Sequence, residues 1–234
     1  RETIGAEAAE LELDAESLET LEQKIEALQA ELTRIGGQLS NLRRKAAGKL
    51  KALVEEQFRE LDMHEANFDV DLRTARPEDS GIDATGLDSM EFLVRMNPGQ
   101  ELLPLRKVAS GGEMSRIMLA LKTILAGRDR IGVLVFDEID SNIGDRLGAT
   151  IGRKMHALAH GENKRNSAKQ TGRQILCITH LSQIAACADH HLQISKDIVL
   201  EGTERRTIAT VRVLDSEMRV NELAEMMAGR NATP

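Results

Sequence analysis

A chain of 234 residues, 41% hydrophobic and 29% charged, is long enough for one or two domains with a real core and polar enough to carry an exposed helical arm. Its formal charge of −7 argues against a globally basic nucleic-acid surface, and four Phe with no Trp or Tyr argue against base stacking on aromatic platforms. No apolar run reaches transmembrane length, nothing at the start resembles a signal peptide, and Cys177 and Cys187 fit neither a redox pair nor a zinc knuckle, so the expectation is a cytoplasmic protein with reduced thiols.

From Leu18, apolar residues recur at Leu21, Ile25, Leu28, Leu32, Ile35, Leu39, Leu42 and Ala46, in alternating steps of three and four that define the a/d seam of a left-handed coiled coil. Beyond Ala46 the seam moves to Leu50 and Leu53, an extra step of four that locally unwinds the supercoil. Gly36 and Gly37 weaken the middle of this helix by about 1 kcal/mol each relative to alanine. Arg43, Arg44, Lys45, Lys49 and Lys51 crowd one stretch, and a second basic tract runs from Lys164 to Arg173; both read first as solvated faces, with phosphate contact the minority reading. The seam needs a partner, either a second copy in a zipper or the other arm of an antiparallel hairpin.

Residues 67–72 alternate, with Phe68, Val70 and Leu72 on one face of a strand. Asn67, Asp69, Asp71 and Glu78 also match four ligand positions of a calcium loop, but Leu72 stands where that loop requires Gly, so the strand is preferred. Residues 76–87 read as a loop, 90–96 as a strand, and Asn97-Pro98-Gly99 as a turn. A helix is expected over 112–125, with Ile117, Leu121, Ile124 and Leu125 toward the core and Gly127 as its stop. Further helices are expected over 145–159, 181–188 and 220–227, strands over 192–195 and 207–214, a polar insertion over 161–172 and a tail at 231–234. His156 and His160 share a helix face, but Ala157 stands where a zinc-protease motif needs Glu, so they read as a solvated pair.

The chemistry concentrates between Val108 and His180. The apolar run Val133-Leu134-Val135-Phe136 is too short for a helix and suits a strand buried on both faces, which delivers Asp137 and Glu138 at its carboxyl end. Ligands of open α/β sheets bind at that end. There an Asp can hold Mg²⁺ through water and the adjacent Glu can orient and deprotonate an attacking water. A second strand beginning at Gln174 ends in Thr179-His180, placing a hydrogen-bonding ring at a neighbouring strand tip. Ser110-Gly111-Gly112-Glu113 opens the 112–125 helix, where free amides and the helix dipole suit a phosphate. The same residues also make an ordinary capping box.

The blocks Pro104 to Lys122, Phe136-Asp137-Glu138-Ile139-Asp140 and Thr179 to Ala186 resemble the RecN family, in the SMC-like branch of the ABC ATPases. The resemblance implies an α/β fold: the C-terminal lobe of an ABC/SMC-like P-loop ATPase head (65–234) preceded by one long coiled-coil helix, the descending arm of an antiparallel hairpin (1–64). Position by position it implies that Ser110, Gly111, Gly112 and Glu113 form the signature that meets the γ-phosphate of ATP held by a partner subunit. Asp137 becomes the Walker B ligand to Mg²⁺, Glu138 the catalytic base and His180 the switch histidine. Asp140, Ser141, Asn142, Gly144 and Asp145 fall on the D-loop, with Gly144 where an Asp often sits. No G-x-x-x-x-G-K-[ST] occurs, so the phosphate-cradling loop is absent. With a first residue Arg1, the chain reads as the carboxyl-terminal part of a longer protein and is expected to be inactive alone.

The function so implied is DNA double-strand break repair and recombination, with ATP-driven head dimerisation coupled to DNA binding or tethering. The implied partners are DNA, an N-terminal Walker A lobe and a second copy through the heads, with no membrane and a nucleoid-associated location. Two alternatives stay open: another SMC-like chromosome-structuring ATPase, and a non-enzymatic coiled-coil module for oligomerisation or DNA binding.

Overall fold

The computed structural model describes residues 2–76, 84–108, 110–126, 131–161, 172–201 and 204–228. Glu78, Gly127, most of the polar insertion, most of the second basic tract and the 231–234 tail lie outside them. Two compact units are present. The first comprises Arg1–Ala52, Asn67–Arg95 and Leu102–Leu105; the second comprises Leu53–Ala66, Met96–Glu101 and Arg106–Pro234.

In the first unit, helix α1 (Glu2–Glu60, which continues into the second unit) accompanies an antiparallel sheet in the order β1-β2-β3. The strands are β1 (Asn67–Thr74), β2 (Asp88–Arg95) and β3 (Leu103–Pro104). Both long strands run past their expected limits, because Arg73, Thr74, Asp88 and Ser89 extend the pairing with polar side chains that carry no apolar signal. On the sheet, Phe68 and Phe92 pack diagonally with ring centroids 5.4 Å apart.

The seam of α1 is open: Leu18, Leu21, Ile25, Leu28, Ile35 and Leu42 are all exposed. Gly36, expected only to weaken the helix, has a packing role, since a Cβ there would overlap the side chain of Leu87. Next to it Asp88 draws α1 onto β2. It accepts from Ser40 Oγ at 2.7 Å, Arg43 Nη1 at 2.9 Å and Thr74 Oγ1 at 2.8 Å. Burial alone would raise the Asp88 carboxyl, but these donors hold it below the ordinary Asp range. Arg44 donates to Thr74 and Lys51 to Asp69, so three of the five clustered bases are tied to the sheet, whereas Lys45 and Lys49 are exposed.

In the second unit, Val54, Phe58 and Leu61 at the end of α1 are fully buried. Helix α2 (Gly111–Leu125) follows a 3-10 turn at Leu105–Lys107. Its buried apolar side chains are Ile117, Leu119, Ala120 and Leu121; Ile124 and Leu125, expected in the core, are only half-buried. Strand β4 (Val133–Phe136) leads to α3 (Asp145–His160), which Gly161 closes in the left-handed conformation at φ 68°. Strand β5 (Gln174–Cys177) pairs in parallel with β4.

The short helix α4 (Ser182–Ala185) covers only the first half of the expected 181–188 helix; the chain then turns through Cys187 and Ala188. Gly148 and Gly152 line α3 one turn apart and admit α4 closely, since Cβ atoms there would stand 3.0 Å from Leu181 Cδ1 and 2.8 Å from Cys187 Sγ. In the hairpin, β6 (Leu192–Glu201) runs well past the expected 192–195 and β7 (Glu204–Val213) starts before the expected 207, and α5 (Ser216–Ala228) starts before the expected Val220.

One expectation is overturned. β4 is not buried on both faces: Leu134 and Phe136 are buried, but Val133 and Val135 are 49% and 63% exposed. Only β5 pairs with it among the described residues, and Leu176 and Ile178 are likewise exposed on that strand and just beyond its end. The apolar run therefore marks a strand with one covered face here.

Candidate active site

The parallel pair β4–β5 brings its two carboxyl ends to one place. Asp137 and Glu138 leave β4 exposed to solvent, and Thr179 and His180 follow β5 in the adjacent position. Glu138 has φ 55° and Asn142 φ 58°, so the loop between β4 and α3 turns twice through the left-handed region. For Glu138, with no glycine's freedom, that costs on the order of 1–2 kcal/mol, and such strain persists where surrounding contacts enforce it.

The contacts come from α2. Ser115 Oγ donates to Asp137 O at 2.7 Å, and Arg116 Nη1 donates to Ser141 O at 3.1 Å and Ile139 O at 3.4 Å. Arg116 is 9% exposed, and its burial pulls the guanidinium below its ordinary range against the opposing charges of Glu113 and Asp62. Ser110 caps α2, accepting from Glu113 N at 3.4 Å. Gly111 and Gly112 let the helix start lie against the loop. A Cβ on Gly112 would stand 2.9 Å from Glu138 O and from Ser141 Cβ, and one on Gly111 would stand 2.6 Å from Glu138 Oε2. The Glu138 carboxylate thus rests over the first turn of α2, where the dipole favours an anion.

The opposite side of the loop is held by Asp140, 4% exposed. Its Oδ2 accepts from Thr179 Oγ1 at 2.6 Å and His180 N at 2.8 Å, and lies 3.0 Å from His180 Nδ1. A carboxylate only accepts, so Nδ1 carries the ring proton toward Asp140 and Nε2 is left facing solvent. Burial would raise the Asp140 carboxyl, yet the Thr179 and His180 donors and the His180 charge hold it below the ordinary range.

Of the candidate residues, Ser110, Gly111, Gly112, Glu113, Asp137, Glu138, Asp140, Ser141 and His180 meet around this loop. Asn142 makes the second left-handed turn of the loop, and Gly144 and Asp145 end it as the N-cap and first residue of α3. No hydrogen bond joins His180 to Asp137 or Glu138 among the described residues. Ser115 and Arg116 were not anticipated as loop supports; the only sequence signal was a polar pair inside an otherwise apolar helix face.

Cys177, at the end of β5, is half-buried, and burial with the nearby charges of Asp140 and Asp137 pushes its thiol up to about 12. It is a neutral thiol at neutral pH. Alkylation of Cys177 at pH 8, followed by peptide mass spectrometry, is expected to run at least about tenfold slower than that of a small free thiol, because only the thiolate reacts.

No family model matches the chain. The DNA repair protein RecN of Halalkalibacterium halodurans is 37% identical over 216 residues, covering 92% of this chain and 36% of that protein. RecN of Treponema pallidum is 39% identical over 214 residues (90% and 35%), and RecN of Deinococcus radiodurans 37% identical over 234 (98% and 38%). The chain belongs to the RecN family. It spans little more than a third of the length of these RecN proteins. A solved Smc head domain with coiled coil and joint from Pyrococcus yayanosii covers 89% of this RecN-family chain and 35% of its own, at 19% identity with a TM-score of 0.53, which shows the fold: an SMC-type ATPase head lobe entered by a long helix.

Proposed function

We propose that the chain is the carboxyl-terminal lobe (65–234) and descending coiled-coil arm (1–64) of a RecN-type ATPase acting in DNA double-strand break repair and recombination. The observation that carries this reading is the convergence of Asp137, Glu138 and His180 at the carboxyl ends of β4 and β5, beside the glycine-opened start of α2. The residues fit ATP and Mg²⁺. Two exposed carboxylates offer the hard oxygen donors Mg²⁺ requires, and the first turn of α2 already accommodates an anion in the Glu138 carboxylate. When bound, ATP supplies the phosphoryl group and Mg²⁺ offsets its charge.

In this reading Asp137 holds the metal through water. Glu138 orients the attacking water and takes its proton. Asp140 fixes the His180 ring so that Nε2 addresses the terminal phosphate, and Ser110 to Gly112 complete the site of a partner subunit. The exposed seam of α1 supports an antiparallel hairpin whose other arm belongs to the same protein. The whole protein engages or tethers DNA through cycles of head dimerisation, in the cytoplasm and on the nucleoid.

Ser110→Asp separates capping from phosphate contact, since Asp caps a helix as well as Ser but sets a negative charge against the γ-phosphate. In the complete protein carrying Glu138→Gln, light scattering is expected to show an ATP-dependent dimer that the added Ser110→Asp abolishes while thermal stability stays unchanged. A dimer of unaltered ATP dependence would remove the signature from the interface.

A further inference from the structure

Away from the β4–β5 site, the last turn of α3 and the turn after α4 bring three ligand-bearing side chains together. The His156 and His160 rings stack, with centroids 4.1 Å apart and planes 23° apart. Asp189 Oδ1 lies 3.9 Å from His156 Nε2 and 3.7 Å from His160 Nε2, and the three ligand atoms all fall within 4.8 Å of one another.

The His160 tautomer decides what this cluster can do. Its Nδ1 lies 3.0 Å from the carbonyl oxygen of His156, which can only accept, so Nδ1 holds the proton and Nε2 presents a lone pair toward Asp189. That lone pair and the Asp189 carboxylate face one another, an arrangement that a bridging cation satisfies. A single divalent ion satisfies all three ligands at once, and a ring N–H donated to a carbonyl is the usual support for a metal-bound histidine.

Two imidazoles and one carboxylate suit zinc and its neighbours in softness rather than Mg²⁺ or Ca²⁺. With metal–ligand bonds of about 2.0–2.1 Å, tetrahedral ligand atoms stand roughly 3.3–3.4 Å apart. The observed gaps close by rotation of side chains that are 40%, 41% and 57% exposed. The site also lies at the carbonyl end of α3, where the helix dipole favours a cation. Arg219, which with His156, Asp189 and His190 lines a cavity beside the cluster, directs its guanidinium to the carbonyls of Ala185 and Ala186, at 3.2 and 3.0 Å.

We propose that His156, His160 and Asp189 bind one zinc-class divalent transition-metal ion, which clamps the end of α3 to the turn before β6 and leaves a fourth position open. The solvated histidine pair expected from sequence becomes a site because the turn after α4 supplies the carboxylate. Calorimetric titration of the full chain with zinc chloride at pH 7.5 is expected to show one saturable site. His160→Ala and Asp189→Asn should each weaken it at least about tenfold, the scale set by losing even an indirect supporting contact. His190→Ala, in the same cavity but outside the ligand set, should leave it unchanged, with circular dichroism confirming that each variant folds. Absence of saturable binding up to millimolar zinc, or unchanged affinity in both ligand variants, would overturn the proposal.

Discussion

Glu138→Gln in the complete protein is expected to preserve ATP binding and slow Mg²⁺-dependent hydrolysis at least about tenfold, with loss of a general base worth on the order of a hundredfold or more. The substitution is nearly isosteric. It leaves the left-handed backbone at φ 55° and the packing over Gly111 to be satisfied by a neutral amide. A fall in rate without a fall in nucleotide affinity therefore reports chemistry rather than collapse of the loop. Unchanged turnover, measured by phosphate release at saturating ATP, would remove Glu138 from the reaction.

The second large effect is expected at Asp140, through stability. Asp140→Ala strands the Thr179 hydroxyl, the His180 amide and the His180 ring around a buried void, at a cost of about 2–4 kcal/mol from unsatisfied groups. The pH dependence has a fixed sign. The folded carboxyl lies below its ordinary value, so the folded state releases the proton more readily than the unfolded chain. Its contribution is complete above the unfolded value of about 4 and is lost as pH falls through the lower folded value. Urea midpoints of wild type and Asp140→Ala should therefore lie far apart at pH 7 and converge toward pH 3. A gap that stays constant across that range would mean the Asp140 charge contributes nothing. In Asp140→Asn, the amide can still accept from Thr179 but no longer carries the charge that faces His180, so hydrolysis in the complete protein should fall more than stability does.

Local motifs made part of this site legible in the sequence. A strand of four apolar residues announces where Asp137 and Glu138 emerge, and Ser110 with Glu113 three residues later announces the start of α2. The three-and-four spacing of its apolar residues likewise announces the exposed seam along α1. What escaped depends on pairs distant in the chain. Asp140 was assigned to the D-loop, and nothing in its neighbourhood signals that its partners are Thr179 and His180. Gly148 and Gly152 look like weak points of a helix until α4 is seen against them, and Gly36 reads the same way until Leu87 is in place.

The burial of β4 was misjudged for a related reason. Hydrophobicity records what a strand is suited to touch, and one face of β4 meets only solvent among the described residues. The β6–β7 hairpin exceeds its expected length because its ladder continues through the charged residues Lys196, Asp197, Arg205 and Arg206, where backbone pairing needs no apolar side chain. The calcium alternative at Asn67 to Asp71 gives way to a full antiparallel register with β2.

Mg²⁺-dependent ATP hydrolysis by the chain alone and after mixing with a separately expressed N-terminal lobe, with and without DNA, decides whether this chain carries one half of a split ATPase site. Hydrolysis is expected only in the mixture, slowed at least about tenfold by Glu138→Gln. Hydrolysis by the chain alone, or none in a mixture shown to form a complex, would contradict the split site.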